Sequence, residues 1–475
     1  MNNQVKRLLN LQTLLVLFCV LMMPLTTAQD DELVDALDTY LQAQTTVNRF
    51  MGNVLIAQAD TILFQGAYGL ANVEENTPNT LATIFPIDSL TKQFTAAAIL
   101  KLQERGLLDV TDPISTFLPD FPNGENITVS MLLSHSSGIY DFVINLDGNM
   151  ARLADDYGAV SMPNLIQLIA DEPTSFAPGE QYAYNQSGYA LATEIVSRVS
   201  GTPYEVFLEQ TFFTPLGMTN RGYSTATSIS DDIASRLAQG YHWDGRNLTP
   251  GETLSLPFAI GASGAYSTVG DLYTWYRALE NHTVLTARLF NTMTDPIINL
   301  PVNNGPFNAY GYGWAVRSGV LFELFVGKAY GHSGGGVASS YRTMWLRLPD
   351  ATLILLQSNV AETPVVQIAT DIVAILNDGD YVLPTADIVT ELAPDELADY
   401  VGKYELASGR VVSISLQAGA LYYQLESQAP RQLTPTLTGE FVFDDGSRLA
   451  FTGEDITDGF VLSFAGEQVA AVKMQ

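Results

Sequence analysis

Ser89 and Lys92 stand three residues apart in the stretch "DSLTKQF", at the mouth of the apolar run "TAAAILKL". Positions i and i+3 of a helix share a face. The hydroxyl and the amine therefore point together, while Leu90, Phe94, Ala97 and Ala98 form a separate apolar stripe. Near a helix N-terminus, unpaired N–H groups and the helix dipole favour negative charge, which assists both an attacking serine oxygen and a developing oxyanion. A lysine enclosed in a dry pocket binds its proton less tightly and can accept one. The spacing thus fits a serine nucleophile activated by a lysine on its own helix; the plain alternative is a capping serine beside a solvated lysine. The chain has only six lysines, and no other serine has lysine three residues on.

Two further segments carry polar groups that such chemistry needs. In "GEQYAYNQSGYALATEIV", Pro178-Gly179 marks a turn and Tyr189 onward reads as helix, which leaves Tyr184 on the loop between. A phenol there can relay the serine proton, although a chain with 22 tyrosines also uses many for packing. In "GHSGGGVASSYR", just before a strand, Gly334, Gly335 and Gly336 let a substrate lie close to the backbone. His332 and Ser333 can donate hydrogen bonds to a carbonyl or an anion. The alternative is a flexible glycine loop with a surface histidine.

Taken in this order, the three segments resemble those of the serine β-lactamase-like family of penicillin-recognising hydrolases, on the side of class C β-lactamases, D-alanyl-D-alanine carboxypeptidases and esterases. The resemblance runs roughly from Leu33 to Leu376 and is carried also by "GLLDVTDPISTFLP", "ITVSMLLSHSSGI", "ASGAYSTVGDLYTW" and "YGYGW". It implies that Ser89 is the acylated nucleophile, Lys92 its first activating partner, and Tyr184 the base and then the acid. It also implies an oxyanion hole from the backbone N–H groups of Ser89 and Gly335. His332 takes the head of the third motif, with Ser333 and Gly334 beside the substrate. His135, within "LLSHSSGI", reads as structural.

Two departures shape the expected activity. The family pattern is usually Tyr-x-Asn, and here it is Tyr184-Asn185-Gln186. In the family that asparagine contacts the lysine and the substrate amide, so Gln186 is expected there with one extra methylene. His332 replaces the lysine common among β-lactamases, and its charge is expected to vary around neutral pH. Both departures point toward carboxypeptidase- or esterase-type activity on a small-molecule or cell-wall-derived peptide substrate, rather than efficient β-lactam hydrolysis. The other expectation is a catalytically weak penicillin-binding or sensor protein on the same fold. No cofactor or metal is implied.

The elements that must hold these residues are legible in outline. Leu33, Leu37, Tyr40 and Leu41 recur at helical spacing. "NVLIAQADTILFQGAYG" reads as a hairpin, and the nucleophile helix follows it, ending near Arg105-Gly106. The middle of the chain is mixed, with helical patches at Asn164 to Ala170 and Tyr189 to Val199. Near the end, "SSYRTMWLRLPDATLILLQSN" reads as two strands, followed by a helical stripe of Val365, Ile368, Ala369, Ile372 and Leu376. A hairpin and a helix therefore open the domain, and the same pair closes it. The expected class is α+β: one antiparallel sheet built from both chain ends, flanked by helices, with a mainly helical insertion. After a linker near Asn377 to Glu391, short alternating runs about ten residues apart predict a small all-β barrel or sandwich. The expected domains are a hydrolase domain over 29–380 and a β-barrel domain over 392–475.

Composition bounds the rest. With 475 residues, the chain is long enough for one large and one small domain. Its 51 acidic against 22 basic residues argue against nucleic acid as a partner, because phosphates need a basic footprint. Lys6 and Arg7, the apolar "LLNLQTLLVLFCVLMMPL" and the small residues ending at Ala28 read as a cleaved signal peptide over 1–28, with an uncleaved anchor as the alternative. Export to a secreted or periplasmic location, without stable membrane insertion, is the expectation. Cleavage would remove Cys19, the only cysteine, so core packing alone must hold the mature fold. Four Asn-x-Ser/Thr sequons, at Asn126, Asn185, Asn247 and Asn281, read as chance occurrences.

Overall fold

The computed structural model describes residues 28–474, apart from 157–160, 224–229, 245–246, 252–260, 302–305, 323, 336–338 and 385–391 in the first domain and linker. In the last domain, 407–408, 418, 427–429, 437–439, 444–447, 453–457 and 465–466 are also excluded. The expected signal peptide falls almost wholly outside the described residues. Among the described residues, no helix is long and apolar enough to cross a membrane.

The described residues open with α1 (Ala28–Thr46), which buries Leu37, Tyr40 and Leu41 completely. The hairpin of β1 (Gly52–Gln58) and β2 (Thr61–Tyr68) follows. A 3-10 turn over Asp88–Thr91 then leads directly into α2 (Lys92–Glu104). The middle supplies α3 (Val129–Leu133), α4 (Met162–Asp171), α5 (Gln186–Ser200), the short β3 (Ala265–Ser267) and α6 (Val269–Glu280). The chain then returns to the sheet through β4 (Ile298–Asn299), β5 (Ala309–Tyr310), β6 (Ala315–Leu321), β7 (Phe325–Gly334), β8 (Arg342–Arg347) and β9 (Thr352–Ser358), and closes with α7 (Val365–Leu376).

The eight-stranded sheet runs in the order β4-β5-β6-β7-β8-β9-β1-β2, antiparallel throughout. The two ends of the first domain meet one strand in from the β2 edge, where Gly52 of β1 faces Ser358 of β9 and Gln58 faces Thr352. Both sheet faces are covered, which is why β1 and β9 read as continuous apolar runs. The period of two divides them. Val54, Ile56, Ile354 and Leu356 pack with α1 and α7, while Leu55, Ala57, Leu353 and Leu355 pack toward α2 and α6.

The two stripes of α2 are both buried: Lys92 through Leu100 are enclosed without a break. A helix covered on every side is a core helix, so the Ser89–Lys92 face lies inside the protein.

The last domain is a closed antiparallel barrel of eight strands, from Gly402–Leu406 to Glu467–Lys473. Its first and last strands close the ring through Tyr404↔Lys473 and Leu406↔Ala471. Tyr404, Tyr423, Phe441 and Phe460 fill its core. The barrel alternative is therefore the one realised, with a short helix, Pro394–Ala398, ahead of the first strand.

Candidate active site

The turn that carries Ser89 is anchored by its neighbours. The Ile87 N–H donates to Ala265 O on β3 at 2.9 Å. The Ile87 carbonyl accepts from the Thr343 hydroxyl on β8 at 3.2 Å and from the Leu90 N–H at 3.1 Å. Asp88, immediately before Ser89, adopts φ +45°, in the left-handed region that asparagine and aspartate tolerate best after glycine. Its half-buried carboxylate accepts from Ser339 Oγ at 2.7 Å. Burial raises the Asp88 pKa, while Ser339, Arg342 and Lys92 favour its charged form.

Ser89 is 6 % exposed and Lys92 is fully buried. Tyr184 donates to Ser89 Oγ at 2.8 Å, and Lys92 Nζ lies 3.2 Å from the same oxygen. Lys92 has two further acceptors, Gln186 Oε1 at 2.7 Å and Ala262 O at 2.8 Å. Burial pushes its pKa down to about 7, against the pull of the Asp141 and Asp88 carboxylates. Lys92 can thus hold or release a proton near neutral pH. The Tyr184 ring is 38 % open to the cleft, yet its hydroxyl lies among buried groups, and desolvation raises its pKa. Open access to water tempers that effect without reversing it, so the phenol keeps its proton at neutral pH.

Gln186 begins α5, and Asn185 caps that helix by accepting from the Gly188 N–H at 2.9 Å. The Asn185 amide also donates to Ile139 O at 2.7 Å. That side chain is buried, so this sequon is closed to a glycan in the folded protein. Asp141 accepts from the Gln186 N–H at 3.2 Å and faces Lys92 electrostatically. The extra methylene of Gln186 does not break the contact with the lysine expected of asparagine there.

His332, Ser333 and Gly334 are the last residues of β7 itself, not a loop before a strand. His332 Nδ1 lies 2.6 Å from Ser333 O, an atom that can only accept, so Nδ1 carries the proton. Nε2 then accepts from the Tyr310 hydroxyl at 2.9 Å. Burial and the nearby Lys92 pull the His332 pKa down to about 3. The expected charge variation around neutral pH is therefore corrected: the imidazole is enclosed and stays neutral. Gly334 also serves a different end from the one its sequence suggested. A Cβ there would lie 2.1 Å from Thr343 Oγ1 and 2.4 Å from Ile87 O, so its bareness lets β7 pack against the turn that carries Ser89. Gly335, at φ +143°, is exposed and directly follows the last residue of β7; Gly336 lies outside the described residues.

The supporting segments converge on the same helix. Gly313 of "YGYGW" lies against the start of α2, where a Cβ would approach Lys92 O to 2.9 Å. Trp275 donates to Gln93 Oε1 at 2.7 Å. Asp88, Asp141 and Tyr310 were not singled out in the sequence. Asp88 had only its adjacency to Ser89 as a signal, Tyr310 only its place at the head of "YGYGW", and Asp141 had none. Among the described residues, no cluster of three or more metal-ligating side chains is present.

The Beta-lactamase family model matches residues 40–375. The chain belongs to the beta-lactamase family and is a serine hydrolase of that fold. It is similar to penicillin-binding protein 4* of Bacillus subtilis, 28% identical over 472 residues, which cover 92% of this chain and 98% of that one. It also resembles esterase EstB of Burkholderia gladioli, 29% identical over 243 residues, 48% of this chain and 60% of the esterase. Among solved structures, the octameric penicillin-binding protein homologue from Pyrococcus abyssi superposes with a TM-score of 0.63 at 23% identity, covering 92% of this chain and 99% of that one.

Proposed function

We propose that the protein cleaves an ester, amide or D-amino-acid peptide bond through an acyl-enzyme on Ser89. The observation that carries this reading is the convergence of Tyr184 and Lys92 on one serine oxygen, at 2.8 and 3.2 Å. Neutral Lys92 takes the Ser89 proton as Oγ attacks the carbonyl, and Tyr184 passes a proton to the leaving group. With its pKa raised by burial, Tyr184 suits donation better than resting-state abstraction. Gln186 holds Lys92 in place and faces the substrate amide. The backbone N–H groups of Ser89 and Gly335 stabilise the tetrahedral oxyanion, with Ser333, Gly334 and His332 shaping that side of the cleft. Water then hydrolyses the acyl-enzyme with the proton flow reversed.

The substrate is a small molecule or peptide fragment from the cell wall, met after export. An ester- or carboxypeptidase-type reaction is favoured over efficient β-lactam turnover, because the side chain near the end of β7, at the head of the third motif, is a neutral imidazole rather than a lysine. The test is a panel of short-chain nitrophenyl esters, D-alanyl peptides and a chromogenic cephalosporin, each run with wild type and Ser89→Ala, together with fluorescent phosphonate and penicillin labelling. Ser89-dependent turnover is expected with an ester or a D-alanyl substrate. Absence of both label and turnover overturns the reading; a Ser89 penicillin adduct that persists for hours without turnover identifies a sensor instead.

A further inference from the structure

Tyr184 lies on an irregular segment between Gly179 and α5, yet a proton relay needs its hydroxyl held to a fraction of an ångström. We propose that His135 is the positioning residue that supplies this hold, by gripping the backbone on both sides of Tyr184 and seating its ring. The inference rests on the reading of Tyr184 as the proton relay to Ser89.

Both chain neighbours of Tyr184 bond to this one histidine. The Ala183 N–H donates to His135 O at 2.9 Å, and the Asn185 N–H donates to His135 Nδ1 at 3.1 Å. Between these two points the imidazole lies against the Tyr184 ring, with centroids 4.4 Å apart and planes tilted by 43°. The backbone makes this double grip feasible. His135 adopts φ +59°, and this left-handed turn lets its carbonyl and its ring face the same passing segment. Histidine is 1 % exposed here and is further enclosed by the rings of Tyr189 at 5.2 Å and Tyr310 at 4.7 Å.

The hydrogen bond from Asn185 also sets the ring's chemistry. Nδ1 accepts an amide N–H, so it carries no proton, and the neutral ring has its proton on Nε2. That nitrogen is buried with no hydrogen-bond partner among the described residues. Protonating Nδ1 would set two N–H groups against each other and open the grip. Burial and the nearby Lys92 both disfavour that charge. His135 therefore acts through Tyr184, not on the substrate.

The test combines His135→Leu, which keeps bulk and loses the acceptor, His135→Asn, which keeps a short acceptor and tolerates the left-handed backbone, and Tyr184→Phe. Activity on a nitrophenyl ester is read as kcat and KM separately, beside the melting temperature. His135→Leu is expected to lower kcat by about 10- to 100-fold, within the range for a misplaced proton-transfer group, with KM changed less than about twofold. His135→Asn is expected to recover most of that loss. In the Tyr184→Phe background, His135→Leu is expected to cost nothing more, since both changes remove one relay. Losses that multiply in the double variant, or a His135→Asn as slow as His135→Leu, overturn the proposal. If His135→Leu does not fold, the same cycle is run with His135→Asn, and multiplying losses again overturn it. Full activity of Tyr184→Phe alone overturns the relay reading and this inference with it. A slow Tyr184→Phe with multiplying losses overturns only the role of His135.

Discussion

Gln186 Oε1 accepts from Lys92 Nζ at 2.7 Å, closer than the 3.2 Å between Lys92 and the serine it serves. The glutamine therefore both orients the amine and stabilises its charged form. Gln186→Leu is expected to shift the acid limb of the kcat/KM profile to lower pH, because losing an acceptor makes the buried ammonium easier to deprotonate. The plateau rate is expected to fall as the amine loses its orientation. A limb that stays put or moves upward in a pH–rate profile contradicts this assignment.

Lys92 itself sets two opposed pH dependences. Its pKa in the fold is about 7, against 10.5 as its ordinary value. Activity limited by acylation is expected to rise with pH through about 7, as the amine loses its proton. Stability follows another sign: the unfolded chain binds the proton more tightly, so this group lowers stability progressively as pH falls from 10.5 toward 7. Lys92→Met is therefore expected to be inactive yet to melt higher than wild type, with a larger gain at pH 7 than at pH 10. Thermal unfolding at the two pH values checks it, and a lower melting temperature at both would falsify the claim.

Asp88 combines backbone strain at φ +45° with a bond from Ser339 at 2.7 Å. The two contributions separate by substitution. Asp88→Gly and Asp88→Ala both release Ser339, but only glycine relieves the left-handed backbone. The glycine variant is expected to be more stable than the alanine variant by about 1 kcal/mol, and both are expected to acylate more slowly than wild type. Chemical denaturation and burst-phase labelling measure the two effects; equal stability of the pair removes strain from the account.

Gly334→Ala places a methyl 2.1 Å from Thr343 Oγ1 and 2.4 Å from Ile87 O. Neither the strand nor the turn can yield without moving Ser89 relative to Gly335. A loss of about 100-fold in kcat/KM is expected, together with a lower melting temperature. Retention of wild-type kcat/KM would show that β7 does not set the position of the nucleophile turn.

Residue type and order made Ser89, Lys92 and Tyr184 readable, because chemistry restricts which side chains can work at such spacing. The sheet was readable from its ends, since β1 and β9 carry the unbroken apolar runs Val54–Ala57 and Leu353–Leu356, and a run covered on both faces has little other meaning. What failed to show in the sequence depends on enclosure. Three-residue spacing defines the Ser89–Lys92 face without saying what covers it, so the sequence left a solvated lysine open beside the dry-pocket reading. The charge of His332 was misjudged for the same reason: its neutrality follows from Tyr310, Ser333 O and burial, and Tyr310 lies 22 residues away. Gly334 signalled space for something close, and the structure identified that neighbour as the chain's own backbone.

The seam between β1 and β9 carries a consequence for biogenesis. Strands separated by about 300 residues must pair before the sheet exists, as Gly52 faces Ser358, and such distant pairing is slow to form. The nucleophile turn gains its supports at Thr343 and Gly334 only when that late segment has emerged. A ribosome-bound chain therefore carries Ser89, Lys92 and Tyr184 before the contacts that bring them together exist. The hydrolase stays chemically silent until nearly the whole domain has been made.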